Sequence, residues 1–229
     1  MDSTQRAVLA EFVGTFALVF VGAGSVIVAG PYGSGLIGVA LASGFVVAAM
    51  VSITFPVSGG QLNPAVTIGM WVAGKIGSSR AAAYVGAQFA GGIVAALFLR
   101  FVVPEATWKA ANLGATVLAT GVGQGKGILI EAVLTFFLVF AYFGSLVDER
   151  RPLGGAPGLV VGLVIAFDIL VGGPFTGSAV NPVRSFAPAL VSGTWADWWV
   201  YWVGPVAGGV IGAALYWWAF LRDENPDVP

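Results

Sequence analysis

The sequence predicts an all-α membrane protein in which six transmembrane helices and two re-entrant half-helices form an inverted 3+3 repeat. Three observations carry that prediction: apolar runs of bilayer length recur along the chain, the second half restates the first, and each half holds an Asn-Pro pair at a matching place. Of 229 residues, 58% are hydrophobic and 9% charged, where a soluble domain carries roughly 25% charged residues. So little charge cannot cover a globule of this size in water.

A helix needs about 20 apolar residues to cross a hydrocarbon layer of ~30 Å. Runs of that kind occupy residues 8–29, 36–55, 81–103, 128–147, 159–171 and 198–220, and the uncharged stretch 154–158 is available to lengthen the fifth. Arg6 ahead of the first run, with small residues at Ala23 and Ser25, imitates a cleaved secretory signal. Glu11 inside the run, and the return of the same motif later, argue that the segment is retained. Basic residues are held on the cytoplasmic side. With both termini cytoplasmic, Arg6, Lys75, Arg80, Arg150, Arg151 and Arg222 fall inside, against Arg100, Lys109 and Lys126 outside.

The repeat has three ordered anchors. Glu11 to Phe20 matches Glu131 to Phe140, Asn63-Pro64-Ala65 matches Asn181-Pro182-Val183, and the glycines Gly86, Gly91 and Gly92 match Gly204, Gly208 and Gly209, all at offsets of 117 to 120 residues. Three spans per half oblige the halves to enter the membrane from opposite sides, which is an inverted-topology repeat. The first repeat takes residues 1–103, a polar extracellular connection takes 104–127, and the second repeat takes 128–229. Small residues spaced by four, Gly204, Gly208 and Gly212 on the last span, Ala82, Gly86 and Ala90 on the third, and Ala40, Gly44 and Ala48 on the second, suit close helix packing in lipid.

Each Asn-Pro pair follows a glycine- and serine-rich loop and precedes a short apolar run, 64–74 or 182–191. Proline suits the first helical turn, where its missing N–H has no intrahelical partner to lose, so each motif starts a helix too short to span. Irregular backbone at membrane depth is tolerated where it is buried in protein or lines a water-filled cavity. Two such segments entering from opposite faces should meet near the midplane beside a pore.

Several chemistries drop out. Without cysteine or histidine the chain has no disulfide, no thiolate, and neither of the commonest soft metal ligands, and a formal net charge of -1 suits no nucleic-acid partner. No nucleophile, base and orienting group converge, so no enzyme, cofactor or metal site is expected.

The paired motifs make the chain resemble the aquaporins, the major intrinsic protein family, over nearly its whole length. The resemblance implies a passive channel for water and small uncharged solutes, assembled as a homotetramer in the lipid bilayer with a pore in each subunit. It implies that Asn63 and Asn181 donate their amides to passing water, beside half-helix dipoles worth roughly +0.5 charge each. Pro64, Ala65, Pro182 and Val183 would support them, with Val183 replacing the family's second alanine and packing against the opposite half-helix. Arg184 sits where an unpaired arginine costs about 3 kcal/mol or more, and in the family it forms the outer constriction and repels cations.

By the same resemblance the filter comprises Ser43, Ile169, Ser178 and Arg184. Strict water channels carry an aromatic and a histidine at the first two positions, so this filter should be wider and one wall apolar. Glycerol, urea, ammonia and undissociated metalloid acids such as arsenite are the solutes such a filter implies, and the stretch Ile169 to Gly177 is similar to plant vacuolar and nodulin-like members. Ser185 after the arginine, where glycerol facilitators have aspartate, sets the chain apart from that subgroup. Asp168 is turned away from the filter by about 100° of helix, though a one-residue shift in register would bring its carboxylate in. Glu11 and Glu131 match buried glutamates that accept from loop N–H groups, and could instead relay protons. Gln61 replaces a common histidine, with a carbonyl able to bind a backbone donor. A water-selective aquaporin and a secondary transporter with broken helices are the alternatives.

Overall fold

The computed structural model describes residues 1–150 and 156–222, and among them the secondary structure is entirely helical. Arg151 and the first two residues of the stretch 154–158 lie outside the described residues. Six helices are long and apolar enough to cross a membrane: α1 (Ser3–Ala29), α2 (Gly35–Ser58), α4 (Ser78–Val102), α6 (Gln124–Tyr142, continued by a π-helical turn to Val147), α7 (Pro157–Thr176) and α9 (Val200–Tyr216, continued likewise to Leu221). Two short helices, α3 (Pro64–Val72) and α8 (Pro182–Ser192), follow the Asn-Pro pairs, and α5 (Glu105–Ala110) lies in the central connection. At 9 and 11 residues, α3 and α8 are about 14 and 16 Å long, half a hydrocarbon layer.

Local chemistry sets the boundaries. Asp2 starts α1 with a capping box, its carboxylate accepting from Gln5 N–H while the Gln5 side chain accepts from Asp2 N–H. α2 and α7 each carry a proline one turn from the end, Pro56 and Pro174, and each stops at a left-handed glycine, Gly59 (φ 92°) and Gly177 (φ 81°). Only glycine adopts that conformation without strain. α7 therefore runs past the expected end of the fifth apolar run. Gly172 lies against Leu134 of α6, and this packing carries the helix through Pro174 to its cap.

The halves interlock. α1 packs on α4 and α2, α6 packs on α9 and α7, and α2 packs on α7 across the repeat, while each short helix lies mainly against the last long helix of the opposite half, α3 on α9 and α8 on α4. Glycines permit the closest crossings: a methyl group at Gly204 would stand 2.7 Å from Glu131 Cβ, one at Gly212 2.8 Å from Phe136 O, and one at Gly44 2.7 Å from Gly162 O. The third small-residue row behaves differently. Ala82, Gly86 and Ala90 are exposed on the outer face of α4, a methyl group added at Gly86 would stand in open space, and α4 uses Gly91 and Gly92 for its contacts with α1 and α8. Spacing by four identifies a smooth helix face but not what it faces. The outer surface is apolar, with Phe45, Ile37 and Phe101 all exposed, as a surface against lipid must be.

One polar knot ties the ends of α6 and α9. Arg150 donates to both oxygens of Asp148 (2.8 and 2.6 Å) and to Phe220 O (2.8 Å), and the Tyr216 hydroxyl donates to Asp148 (2.9 Å). The Arg150 side-chain bond is the main cause holding the Asp148 carboxyl well below the usual carboxylate range.

Candidate functional site

The two asparagines are built into the chain as helix caps before they can do anything else. Asn63 Oδ1 accepts from Ala65 N–H (2.9 Å), and Asn181 Oδ1 accepts from Val183 N–H (3.0 Å) and Arg184 N–H (3.4 Å). Each amide nitrogen then crosses to the other half: Asn63 Nδ2 donates to Val180 O (2.8 Å) and Asn181 Nδ2 to Leu62 O (3.0 Å). An amide has two N–H donors, so each asparagine keeps one beyond this brace. Sequence reading assigned both to the pore. The cross-brace joins residues more than a hundred positions apart, and no local pattern announces it.

Two buried glutamates hold the loops that deliver these caps. Glu11 accepts from Ser58 Oγ (2.6 Å), Gln61 N–H (3.0 Å), Leu62 N–H (2.7 Å) and Gln88 Nε2 (2.8 Å). Glu131 accepts from Thr176 Oγ1 (2.6 Å), Ala179 N–H (3.0 Å) and Val180 N–H (2.8 Å). Gln88 also donates to Thr67 Oγ1 (3.0 Å), so one side-chain amide on α4 ties both α3 and the α1 carboxylate. Gln88 went unnoticed in the sequence; a polar side chain inside an apolar span was its signal.

Pro64 and Pro182 occupy the first turns of α3 and α8. The third motif residues face glycines of the opposite half: Ala65 stands against Gly209 of α9, and Val183 against Gly92 of α4. The helix facing each is thus a full-length one, and its glycine leaves space for the larger valine.

A cavity lies between the halves. Its lining includes Ser43, Ile169, Ser178 and Arg184 toward the C-terminal ends of α1 and α7, both asparagines in the middle, and Gln61, Val51 and Tyr142 toward the C-terminal ends of α2 and α6. Most of the remaining wall is aliphatic, with Leu18, Val47, Leu138 and Ile165 among it. Arg184 is held by backbone oxygens, donating to Gly114 O (2.8 Å) and Gly22 O (3.4 Å), and has no ion-pair partner among the described residues. Gly114 reaches it from the central connection, whose Thr116 donates to Ser185 of α8 (2.8 Å). Ser178 is in left-handed backbone (φ 48°), and its buried hydroxyl has no protein partner.

Asp168 is fully buried and outside the cavity lining, with neither carboxylate oxygen hydrogen-bonded, while its neighbour Ile169 lines the wall. Gln61 lines the cavity too, but its side-chain oxygen binds no backbone donor. Among the described residues there is no group of three or more His, Cys, Asp or Glu side chains.

Six bilayer-length helices around a polar-and-aliphatic cavity, with two half-helices meeting inside it, define a membrane channel. A family model described as Major intrinsic protein matches residues 1–216, and the chain belongs to that family, the aquaporin class of channels for water or small solutes. The chain is 49% identical over 220 residues to aquaporin TIP4-4 of Zea mays, covering 92% of this chain and 85% of that one. It is 41% identical over 233 residues to a probable aquaporin TIP3-2 of Arabidopsis thaliana, covering 96% and 85%. Among solved structures it is similar to the aquaglyceroporin from Plasmodium falciparum, with a TM-score of 0.82 at 25% identity over 93% of this chain and 95% of that one.

Proposed function

We propose that the chain is a passive channel for water and small uncharged polar solutes, among them glycerol, urea, ammonia and undissociated metalloid acids such as arsenite, and that it excludes protons and ions. The observation carrying this reading is one cavity lined by Ser43, Ile169, Ser178 and Arg184 and then by Asn63 and Asn181. The free amide N–H of each asparagine donates to a central water, and the positive ends of α3 and α8 point to the same place. A water whose acceptor sites are both engaged takes up no proton from its neighbour. Arg184 repels cations at the outer constriction, and Glu11 and Glu131 act as loop anchors.

Ser43 and Ile169 present no ring, which leaves room for a solute larger than water. The relatives named aquaporin and aquaglyceroporin support the water and polyol parts of the reading. The channel is read as a homotetramer with four separate pores and with both termini cytoplasmic. The test compares glycerol or urea permeability with water permeability in proteoliposomes for wild type and the Ser43→Phe/Ile169→His double variant. Each ~1.4 kcal/mol added to a barrier slows passage tenfold, and the narrower filter is expected to lower solute flux far more than water flux. A wild type that passes water and none of the solutes makes the channel water-selective; a protein-dependent proton leak comparable to water flux overturns the mechanism.

A further inference from the structure

We propose that the C-terminal end of α4 carries a binding site for one anionic phospholipid, with Arg100 holding the phosphate and the outer face of α4 taking an acyl chain. The inference concerns the outer surface of the protein and stands apart from what the pore conducts.

The site follows from how α4 ends. Proline disfavours a helical residue before it, so Val103, ahead of Pro104, is extended (φ -90°, ψ 136°) and caps α4, and the chain turns into α5. α5 supplies Trp108, which is buried. Arg100, in the last turn of α4, sets its guanidinium over the Trp108 ring, 5.2 Å from the centroid, and donates to Val191 O in the last turn of α8 (2.9 Å). Together with Phe101, Val103, Pro104 and Glu105 these two side chains line an open pocket. Arg100 lies about 33 Å along the helix from Ser78, which is headgroup level at the edge of a ~30 Å hydrocarbon layer.

The charges at this pocket leave one cation over. Glu105 pairs with Lys109 (2.6 Å), whose ammonium also lies over the Trp108 ring (5.8 Å), so the carboxylate of the lining is already neutralised. Arg100 has no ion-pair partner among the described residues. Its side-chain bond to Val191 uses one of the guanidinium's five N–H donors. A basic side chain that needed only solvent would extend into water; this one is turned onto a ring and a carbonyl, yet remains exposed at the pocket. A guanidinium held in place matches phosphate oxygens two at a time.

A free anion would need Arg100 alone, and it is the next residue that points to lipid. Phe101 is 86% exposed, and Leu97 and Val94 follow it, exposed, at helical spacing on α4, so an apolar track leads from phosphate level into the hydrocarbon. A zwitterionic headgroup brings an ammonium beside Arg100 and Lys109, where no free carboxylate receives it; an anionic one brings only the charge that is missing. Because Val191 belongs to the half-helix that carries Arg184, a lipid that fixes Arg100 also steadies that half-helix.

The experiment adds phosphatidylglycerol, phosphatidylcholine or inorganic phosphate to the detergent-solubilised chain. It reads the thermal unfolding midpoint and, by native mass spectrometry, the bound lipid and the oligomeric state. Phosphatidylglycerol is expected to raise the midpoint of wild type and to bind Arg100→Gln about tenfold more weakly, or ~1.4 kcal/mol, with Arg100→Lys between. Phosphatidylcholine should bind more weakly than phosphatidylglycerol, and inorganic phosphate should leave the midpoint unchanged. Phe101→Asp keeps Arg100 and its bond to Val191 while placing a carboxylate on the apolar track; it should fold like wild type and lose the phosphatidylglycerol effect, and it carries the test if Arg100→Gln does not fold. Equal phosphatidylglycerol binding by wild type and the folded variants overturns the proposal, as does equal binding of the two lipids. A rise with inorganic phosphate makes this a plain anion site, and a changed oligomeric state in Phe101→Asp gives the face to a second copy of the chain; either result also overturns it. None of these readouts depends on flux, so failure of the channel reading and failure of the lipid site are seen separately.

Discussion

Replacing Glu11 should separate the two ways in which a buried carboxylate can hold a loop. Four donors converge on it: Ser58 Oγ, Gln61 N–H, Leu62 N–H and Gln88 Nε2. In Glu11→Leu all four lose their acceptor, but two have somewhere else to go. The Ser58 hydroxyl already leans toward Thr54 O (3.4 Å), and Gln88 keeps its bond to Thr67 (3.0 Å). The two backbone N–H groups are left buried and unpaired at about 1–3 kcal/mol each, so the variant should lose about 2–6 kcal/mol. That is a large fraction of the 5–15 kcal/mol that typically separates folded from unfolded states.

Glu11→Gln retains one oxygen. If its amide nitrogen takes the side of Ser58, the hydroxyl turns to accept and only Gln61 N–H is stranded, for about 1–3 kcal/mol. Equilibrium unfolding of the purified variants in mixed detergent should therefore rank wild type, Gln and Leu in that order. Water permeability should fall in the Leu variant even at temperatures where it remains folded, because the freed loop carries Gln61 and Asn63. A Leu variant as stable and as permeable as wild type would refute the anchoring argument.

Two other perturbations probe the packing and the polar knot. Gly208 lies directly against the Ala132 carbonyl of α6, so Gly208→Val should force α9 away from α6 and cost more than about 3 kcal/mol; Gly86→Ala, in open space on α4, should leave unfolding of the solubilised chain unchanged. Asp148 has its carboxyl held low chiefly by Arg150, so its folded-state pKa lies below the unfolded value of about 3.9. Its contribution to stability is fully present above that value and is lost as pH falls through the folded one. The stability difference between wild type and Asp148→Asn should hold constant from about pH 7 to 5 and narrow below about pH 4. A difference that does not narrow by about pH 3 would contradict this assignment.

What could be read in the sequence was whatever has a local or periodic signal. Six apolar runs of bilayer length announce six long helices, and Asn63-Pro64 and Asn181-Pro182 announce two more starts, because proline at the first turn and asparagine before it are a cap in any context. The end of α7 is not legible, because glycine and proline ordinarily break helices, whereas here the helix continues through Pro174 to Thr176 with Gly172 against α6. The spacing of Ala82, Gly86 and Ala90 predicts a helix contact, but spacing does not tell an inner face from an outer one, and these three face outward. Around Arg184 the difficulty is distance along the chain. Its partners are backbone oxygens of Gly22 and Gly114, and a carbonyl has no residue type by which to recognise it. The unpaired oxygens of Gln61 and Asp168 were equally hidden, since an absent hydrogen bond is a property of the packed whole.

The crossed asparagine braces constrain how such a chain can be made. Asn63 emerges early in synthesis, but the carbonyl that receives its amide belongs to Val180, 117 residues later, and Asn181 reaches back 119 residues to Leu62. Until the second half arrives, α3 has an unpaired donor in the low-dielectric interior and no α9 to lie against. The first three spans alone therefore lack the groups that complete the centre of the channel. The same geometry means that each half holds what the other lacks. Two separately synthesised halves should complete one another if they meet in opposite orientations, and neither should form a pore alone.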